Sequence, residues 1–152
     1  MKKIFLGADH GGFHLKQTIV SFLKEKGYEV EDCGAFAFDP GDDYPEFCFI
    51  VAEKIQANPE SQGILICRSG GGATIAANKV TGIRAVTAMD EETAQHAKEH
   101  NDAQILVLGA DFVSSEEKAK KLLLAFLQAE FHQEARHQRR IHQISAYEQG
   151  KT

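Results

Sequence analysis

With 152 residues, 43% hydrophobic and 26% charged, the chain has the composition of one soluble globular domain rather than of a disordered, fibrous or membrane protein. A net charge of −5 argues against non-specific binding to nucleic acid or to an acidic membrane as its main business, since both need a basic footprint. Three cysteines without a C-x-x-C pair (Cys33, Cys48 and Cys67) and a Met1 that opens directly onto strand-like sequence read as free thiols in a reducing cytoplasm.

Two periods alternate along the chain. Ile4-Phe5-Leu6 is a short apolar run ending in Gly7, as a strand buried on both faces reads, and Leu15, Ile19, Phe22 and Leu23 follow on one helical stripe closed by Gly27. The unit recurs with Tyr28 to Asp32 as a strand, a polar loop through Pro40 and Gly41, and a stripe of Phe47, Ile50, Val51 and Ile55. Ile64 to Cys67 is a third strand, and a glycine cluster leads into a helix over Ala73 to Lys79. Ile83 to Thr87 is a fourth strand, after which Asp90 is a good N-cap for a helix running to His100. Ile105 to Leu108 is the fifth, and Ser114 with Glu117 predicts a capping box for a helix with the stripe Ala119, Leu122, Leu123, Phe126 and Leu127. The longest apolar run, Leu122 to Leu127, is far short of the roughly 20 residues of a membrane helix. A last polar helix, about 133–148, has little apolar surface beyond Ile141, Ile144 and Tyr147. Its polarity makes it the natural element to pack on a second subunit. Residues 131–152 are also basic, at +2 against −7 for the rest, which leaves room for a local anion site.

Five strands alternating with helices predict a three-layer α/β fold with a parallel sheet. Ligands in such sheets bind beyond the carboxyl ends of the strands, which directs attention to Ala8-Asp9-His10, Cys67-Arg68-Ser69, Ala88-Met89-Asp90 and Gly109-Ala110-Asp111.

Cys67 to Ala73 (Cys-Arg-Ser-Gly-Gly-Gly-Ala) puts a thiol at the end of a buried strand, before a glycine-rich turn into a helix. Glycine N–H groups and the helix dipole attract an anion there, and the same field favours the thiolate of Cys67; a buried cysteine beside a tight turn is the plainer alternative. The G-x-x-x-x-G-K-[ST] and G-x-G-x-x-G nucleotide fingerprints are both absent. Asp9, His10 and His100 would supply proton transfer if the fold converges them on the thiol, although a solitary histidine is more often simply solvated. His96 and His100 share metal-like i, i+4 spacing, but no H-E-x-x-H accompanies them and no metal is expected. Arg136 and Arg140 share a helix face, as a phosphate clamp or as a solvated basic face. Together these groups suit a phosphorylated substrate and a proton abstraction, with no redox cofactor.

Six blocks in collinear order cover nearly the whole chain: Gly7-Ala8-Asp9-His10-Gly11-Gly12-Phe13, Asp43-Tyr44-Pro45, Gly63-Ile64-Leu65-Ile66-Cys67, Ile75 to Ala85, Glu99-His100-Asn101-Asp102-Ala103, and Arg136-His137-x-x-Arg140. They resemble the ribose-5-phosphate isomerase B family, whose relatives include galactose-6-phosphate isomerase subunits. The resemblance implies a Rossmann-like homodimer, or a tetramer of two dimers, that interconverts aldose and ketose phosphates without metal or cofactor. Cys67 would be the base that moves a proton between C1 and C2 through a cis-enediolate. His100 would assist ring opening, and Asp9 would hold hydroxyls or help move protons. Ser69 and the N–H groups of Gly70, Gly71, Gly72 and Ala73 would stabilise the enediolate oxygens. Asn101 would bind hydroxyls, Tyr44 would line the site, and His10, Arg136 and Arg140 would take the phosphate, with some of these groups coming from a partner subunit. Where some relatives place a Glu base in the loop, this chain has Ala73.

The departures bear on the substrate. The family loop Gly-Thr-Gly-x-Gly reads Arg68-Ser69-Gly70-Gly71-Gly72 here, placing Arg where a glycine can serve an unusual backbone angle. The family Gly-x-Arg-Val after the fifth strand reads Gly109-Ala110-Asp111-Phe112-Val113. One arginine gained and one lost suggest a charge swap, in which Arg68 enters the pocket and pairs with Asp111 or replaces the missing side chain. The family Gly-Gly before the last Arg-His is replaced by Gln133-Glu134-Ala135, leaving the start of the last helix open. The default expectation is isomerisation of ribose 5-phosphate. The alternatives are another tetrose, pentose or hexose phosphate, or a non-catalytic sugar-phosphate-binding subunit of a hetero-oligomer.

Overall fold

A computed structural model describes residues 1–150; Lys151 of the basic tail, and with it the end of the expected 1–152 domain, lies outside the described residues. Five parallel strands stand in the order β2-β1-β3-β5-β4. They are β1 (Ile4–Ala8), β2 (Val30–Asp32), β3 (Gln62–Cys67), β4 (Ala85–Thr87) and β5 (Ile105–Gly109). The helices are α1 (Phe13–Glu25), α2 (Tyr44–Ala57), α3 (Gly71–Ala77), α4 (Glu91–Asn101), α5 (Glu116–Gln128) and α6 (Ala135–Glu148).

Alternation along the buried strands sends side chains to two separate cores. Ile4, Leu6, Ile64, Ile66, Leu106 and Leu108 pack with α1, α4 and α5, whereas Phe5, Leu65, Cys67, Ile105 and Val107 pack with α2 and α3. Cys67 and α4 therefore lie on opposite faces of the sheet. The chain order reverses between β1 and β3, which makes their carboxyl ends the expected crevice of this topology.

Several boundaries differ from the sequence reading. The cap of α5 is Ser115, whose Oγ accepts the Lys118 N–H at 3.1 Å, so the predicted Ser114–Glu117 capping box does not form. Two adjacent serines offer the same chemistry, and Ser115, extended at φ −162°, takes the position. At α4 the Asp90 cap holds, strengthened by Thr93 in a capping box. α3 begins at Gly71 rather than Ala73, because Gly70 turns the chain at φ +83° directly into it. β2 and β4 are each three residues long and start later than predicted, and α6 starts at Ala135 rather than about 133.

On α1 the buried face is Phe13, Lys16, Ile19 and Leu23, with Leu15 and Phe22 only partly covered. Lys16, 1% exposed, bonds the Asp32 carboxylate and the Ala35 carbonyl, each at 2.7 Å. It ties the chain after β2 to α1.

Candidate active site

Cys67 closes β3 at 4% exposure. The loop after it is fixed to the end of β5 by two backbone bonds, Ala110 N–H to Cys67 O at 2.8 Å and Asp111 N–H to Arg68 O at 2.9 Å. A Cβ on Gly109 would stand 2.5 Å from the Ser69 carbonyl oxygen, so glycine is what lets the two loops touch. Gly70 donates its N–H to Cys67 Sγ at 3.2 Å, while its carbonyl accepts the Thr74 hydroxyl at 2.9 Å and the Thr87 hydroxyl at 3.3 Å. The first backbone bond of α3 is Thr74 N–H to Gly70 O, which leaves the N–H groups of Gly71, Gly72 and Ala73 without intrahelical acceptors. The thiol therefore shares its turn with free backbone donors. Burial pushes the Cys33 thiol up, and that of Cys48 up to about 12, which suits both to packing.

From β1 come Asp9 and His10. Asp9 is 5% exposed and accepts the Gly11 N–H at 2.9 Å and the Gly12 N–H at 3.3 Å; burial raises its carboxyl above the ordinary value despite these donors. His10 is held by Asp42, whose Oδ1 accepts both the His10 backbone N–H and the ring Nδ1–H at 2.8 Å. That bond raises the His10 imidazole above its ordinary value. Asp42 escapes a sequence reading because it is one of two adjacent loop acids, and only the folded loop brings it beside a residue 32 positions away. Tyr44, the first residue of α2, lies over Gly72, where an added Cβ would meet its Cζ at 2.4 Å.

Arg68 lies across this mouth. Its stem passes over Gly11, where a Cβ would clash with Arg68 Cγ at 2.2 Å, and its Nε donates to Asp111 Oδ2 at 3.3 Å. Asp102 is the one non-glycine residue with positive φ among the described residues, so Arg68 sits in its loop without backbone strain.

The expectation that His100 converges on the thiol is corrected within a single chain. Strands are parallel, so α4 runs back from the carboxyl end of β4 to the amino end of β5 and delivers His100 and Asn101 there. Asn101 O accepts Arg84 Nε at 2.8 Å, and Arg84 immediately precedes β4. The rise of β3 from Gly63, paired with Ile105, to Cys67, paired with Gly109, puts about 13 Å of sheet between the two ends. α6 is docked at that distant end: His132 N–H bonds Glu99 O at 2.8 Å, the His137 ring stacks on His100 at 4.8 Å, and Gly82 N–H reaches Glu148 at 2.8 Å. Arg136 and Arg140 therefore accompany His100 and Asn101. One chain thus carries two groups of candidate residues, a thiol group (Asp9, His10, Tyr44, Cys67, Arg68, Ser69 and the Gly70–Ala73 turn) and an imidazole–guanidinium group.

Among the described residues, two clusters could hold a cation, Asp9-His10-Asp42 and His96-Glu99-His100, each with ligand atoms within 4.8 Å of one another. In the first, the Nδ1 of His10 is already engaged by Asp42.

Comparison with known proteins agrees with this architecture. A family profile described as Ribose/Galactose Isomerase matches residues 4–144. The ribose-5-phosphate isomerase B of Mycolicibacterium paratuberculosis is 44% identical over 96% of this chain and 91% of its own length. The Escherichia coli protein of that name is 43% identical over 98% of both. Among solved structures, ribose-5-phosphate isomerase B from Mycoplasma genitalium with bound ribulose 5-phosphate superposes with a TM-score of 0.93 at 43% identity, covering 97% of this chain and 96% of that one. Matches in sequence and fold over nearly the whole chain, together with the thiol loop and the Arg-His-x-x-Arg helix, place the chain in the ribose/galactose isomerase family, on its ribose-5-phosphate isomerase B branch.

Proposed function

We propose that the protein is an aldose–ketose isomerase that converts ribose 5-phosphate to ribulose 5-phosphate without a metal or cofactor. The observation that carries this reading is Cys67, a thiol at the carboxyl end of a central strand with the Gly70 N–H on its sulfur and the unpaired donors of the α3 turn beside it. Proton abstraction next to a carbonyl needs a base and, at the same place, donors for the oxygen that gains charge. In the open-chain aldose, the Cys67 thiolate takes the proton from C2. The C–H electron pair becomes the C1–C2 double bond, and the carbonyl electrons move to O1. Ser69 and the free backbone N–H groups of Gly71, Gly72 and Ala73 hold the enediolate oxygens, while the Gly70 N–H stays on the Cys67 sulfur. The O2 proton then passes to O1, the carbonyl forms at C2, and the Cys67 thiol returns its proton to C1. Asp9 holds substrate hydroxyls beside this path, and Tyr44 walls the pocket.

The site is completed by a second copy of the chain. Its His100 would act as the ring-opening acid, its Asn101 as a hydroxyl ligand, and its Arg136 and Arg140, with His10 of the first copy, as the phosphate receptor. Three observations support a homodimer: the separation of the two groups within one chain, the exposure of Ile144 and Tyr147 on α6, and burial along that helix confined to His137.

Proton NMR with ribose 5-phosphate in deuterium oxide tests the reading. Ribulose 5-phosphate formation with deuterium entering beside the carbonyl is the expected result, and absence of both overturns it. A second reading, a sugar-phosphate-binding subunit that needs a related partner, is favoured by one observation, the acid Asp111 at the mouth. Binding of ribose 5-phosphate without exchange would select it.

A further inference from the structure

Four histidines gather where α4 meets the start of α6. His96 and His100 stack at 4.3 Å, His100 and His137 at 4.8 Å, and the His100 and His132 rings lie 6.1 Å apart. Glu99 shares the helix with His96 and His100, its Oε1 3.6 Å from His132 Nε2. The proposed isomerisation uses only His100 of this group, so His96, Glu99, His132 and His137 are left without a role in it.

Their chemistry is that of a borderline transition-metal site. His96, Glu99 and His100 each present a ligand atom within 4.8 Å of the others, a spread that side-chain rotation closes onto one ion. Two imidazoles and a carboxylate from one helix face, with a fourth position left to water, are a common zinc donor set. Gln95 Nε2 donates to Glu99 Oε1 at 2.6 Å, an outer partner of the kind that orients a ligand. A second, independent observation is His137, whose side chain is 7% exposed and whose Nε2 has no hydrogen-bond partner. It is a buried polar atom left unsatisfied at this cluster. Of the two cations beside it, Arg136 is engaged by Glu134 at 2.9 Å and Arg140 is the one assigned to the phosphate, while Glu99 offsets part of the charge an ion would bring.

We propose that His96, Glu99 and His100 form an inhibitory site for a zinc-class divalent ion, which binds by claiming the imidazole of His100 and so silences the isomerase. The ion takes no part in the reaction. The inhibitory half rests on the isomerase reading, whereas the binding half stands on the cluster itself.

Calorimetric titration of zinc chloride into chelator-treated full-length protein, followed by isomerase assays over the same zinc range, tests both halves. The expected result is one zinc per chain, with His96→Ala and Glu99→Gln each weakening binding by about tenfold or more. Wild-type activity should fall as the site fills and return with chelator. Metal-free His96→Ala should match wild type in turnover and resist zinc. No saturable binding, or equal binding by both variants, overturns the site. Binding with unchanged turnover overturns the inhibition. Saturable binding lost in the variants, in a protein with no metal-free isomerase activity, supports the site and overturns the isomerase reading instead.

Discussion

Arg68 Nε and Asp111 Oδ2 meet at 3.3 Å across the loops that end β3 and β5. Both side chains are largely exposed, at 67% and 51%, so the pair contributes at most about 1 kcal/mol to stability and its importance is positional. It sets a guanidinium at the mouth beside Asp111, where the family resemblance leads one to expect an arginine. Arg68→Gly is expected to raise KM for ribose 5-phosphate, and Asp111→Asn to lower it by removing a charge that repels phosphate. Steady-state kinetics on the two variants, with melting temperatures as a control, check this. Unchanged KM in both would leave the pair a surface ornament.

Asp42 governs the charge of His10. The imidazole is raised chiefly by its hydrogen bond to Asp42, so it stays cationic to higher pH than an ordinary histidine. If His10 receives the phosphate as proposed, its attraction is complete below the raised value and lost as pH climbs through it. In Asp42→Asn the loss should begin at lower pH, with KM several-fold higher at mildly alkaline pH and kcat little altered. NMR titration of the His10 ring in both proteins measures the shift directly, and coincident curves would dismiss Asp42 from this role.

If each site takes Cys67 from one subunit and His100 from the other, two dead variants should rescue each other. Cys67→Ala should abolish proton exchange while leaving substrate binding within a few-fold, and His100→Ala should also be inactive. Equal amounts refolded together should recover about a quarter of the wild-type rate, because half the dimers mix and each mixed dimer has one intact site. Sites confined to single subunits would recover nothing.

The buried ammonium of Lys16 couples α1 to the strand and loop that lead toward Asp42 and Tyr44. Replacing it with Met leaves Asp32 and the Ala35 carbonyl without their shared donor. The expected cost is about 3 kcal/mol, a fall in Tm of roughly 6 to 12 °C for a chain of this size. A thermal melt of Lys16→Met within the error of wild type would contradict this account of the loop anchor.

Five apolar runs separated by helical stripes determined the α/β class, and the run ending at Cys67 before three glycines determined where a thiol site would lie, because period and glycine placement are local properties that survive in one dimension. The sequence also contained the Arg68–Asp111 exchange as a coincidence of two departures, though not that the residues touch. Tertiary structure alone decided the rest. Helical periodicity could not reveal that Lys16 belongs to the buried face, since a cation is buried only when distant groups such as Asp32 and Ala35 meet it. Nothing local marks Asp42 as the partner of His10. Spacing could not show that His100 leaves the thiol, because the direction of α4 follows from the parallel pairing of β4 with β5, and that pairing carries a helix from one end of the sheet to the other.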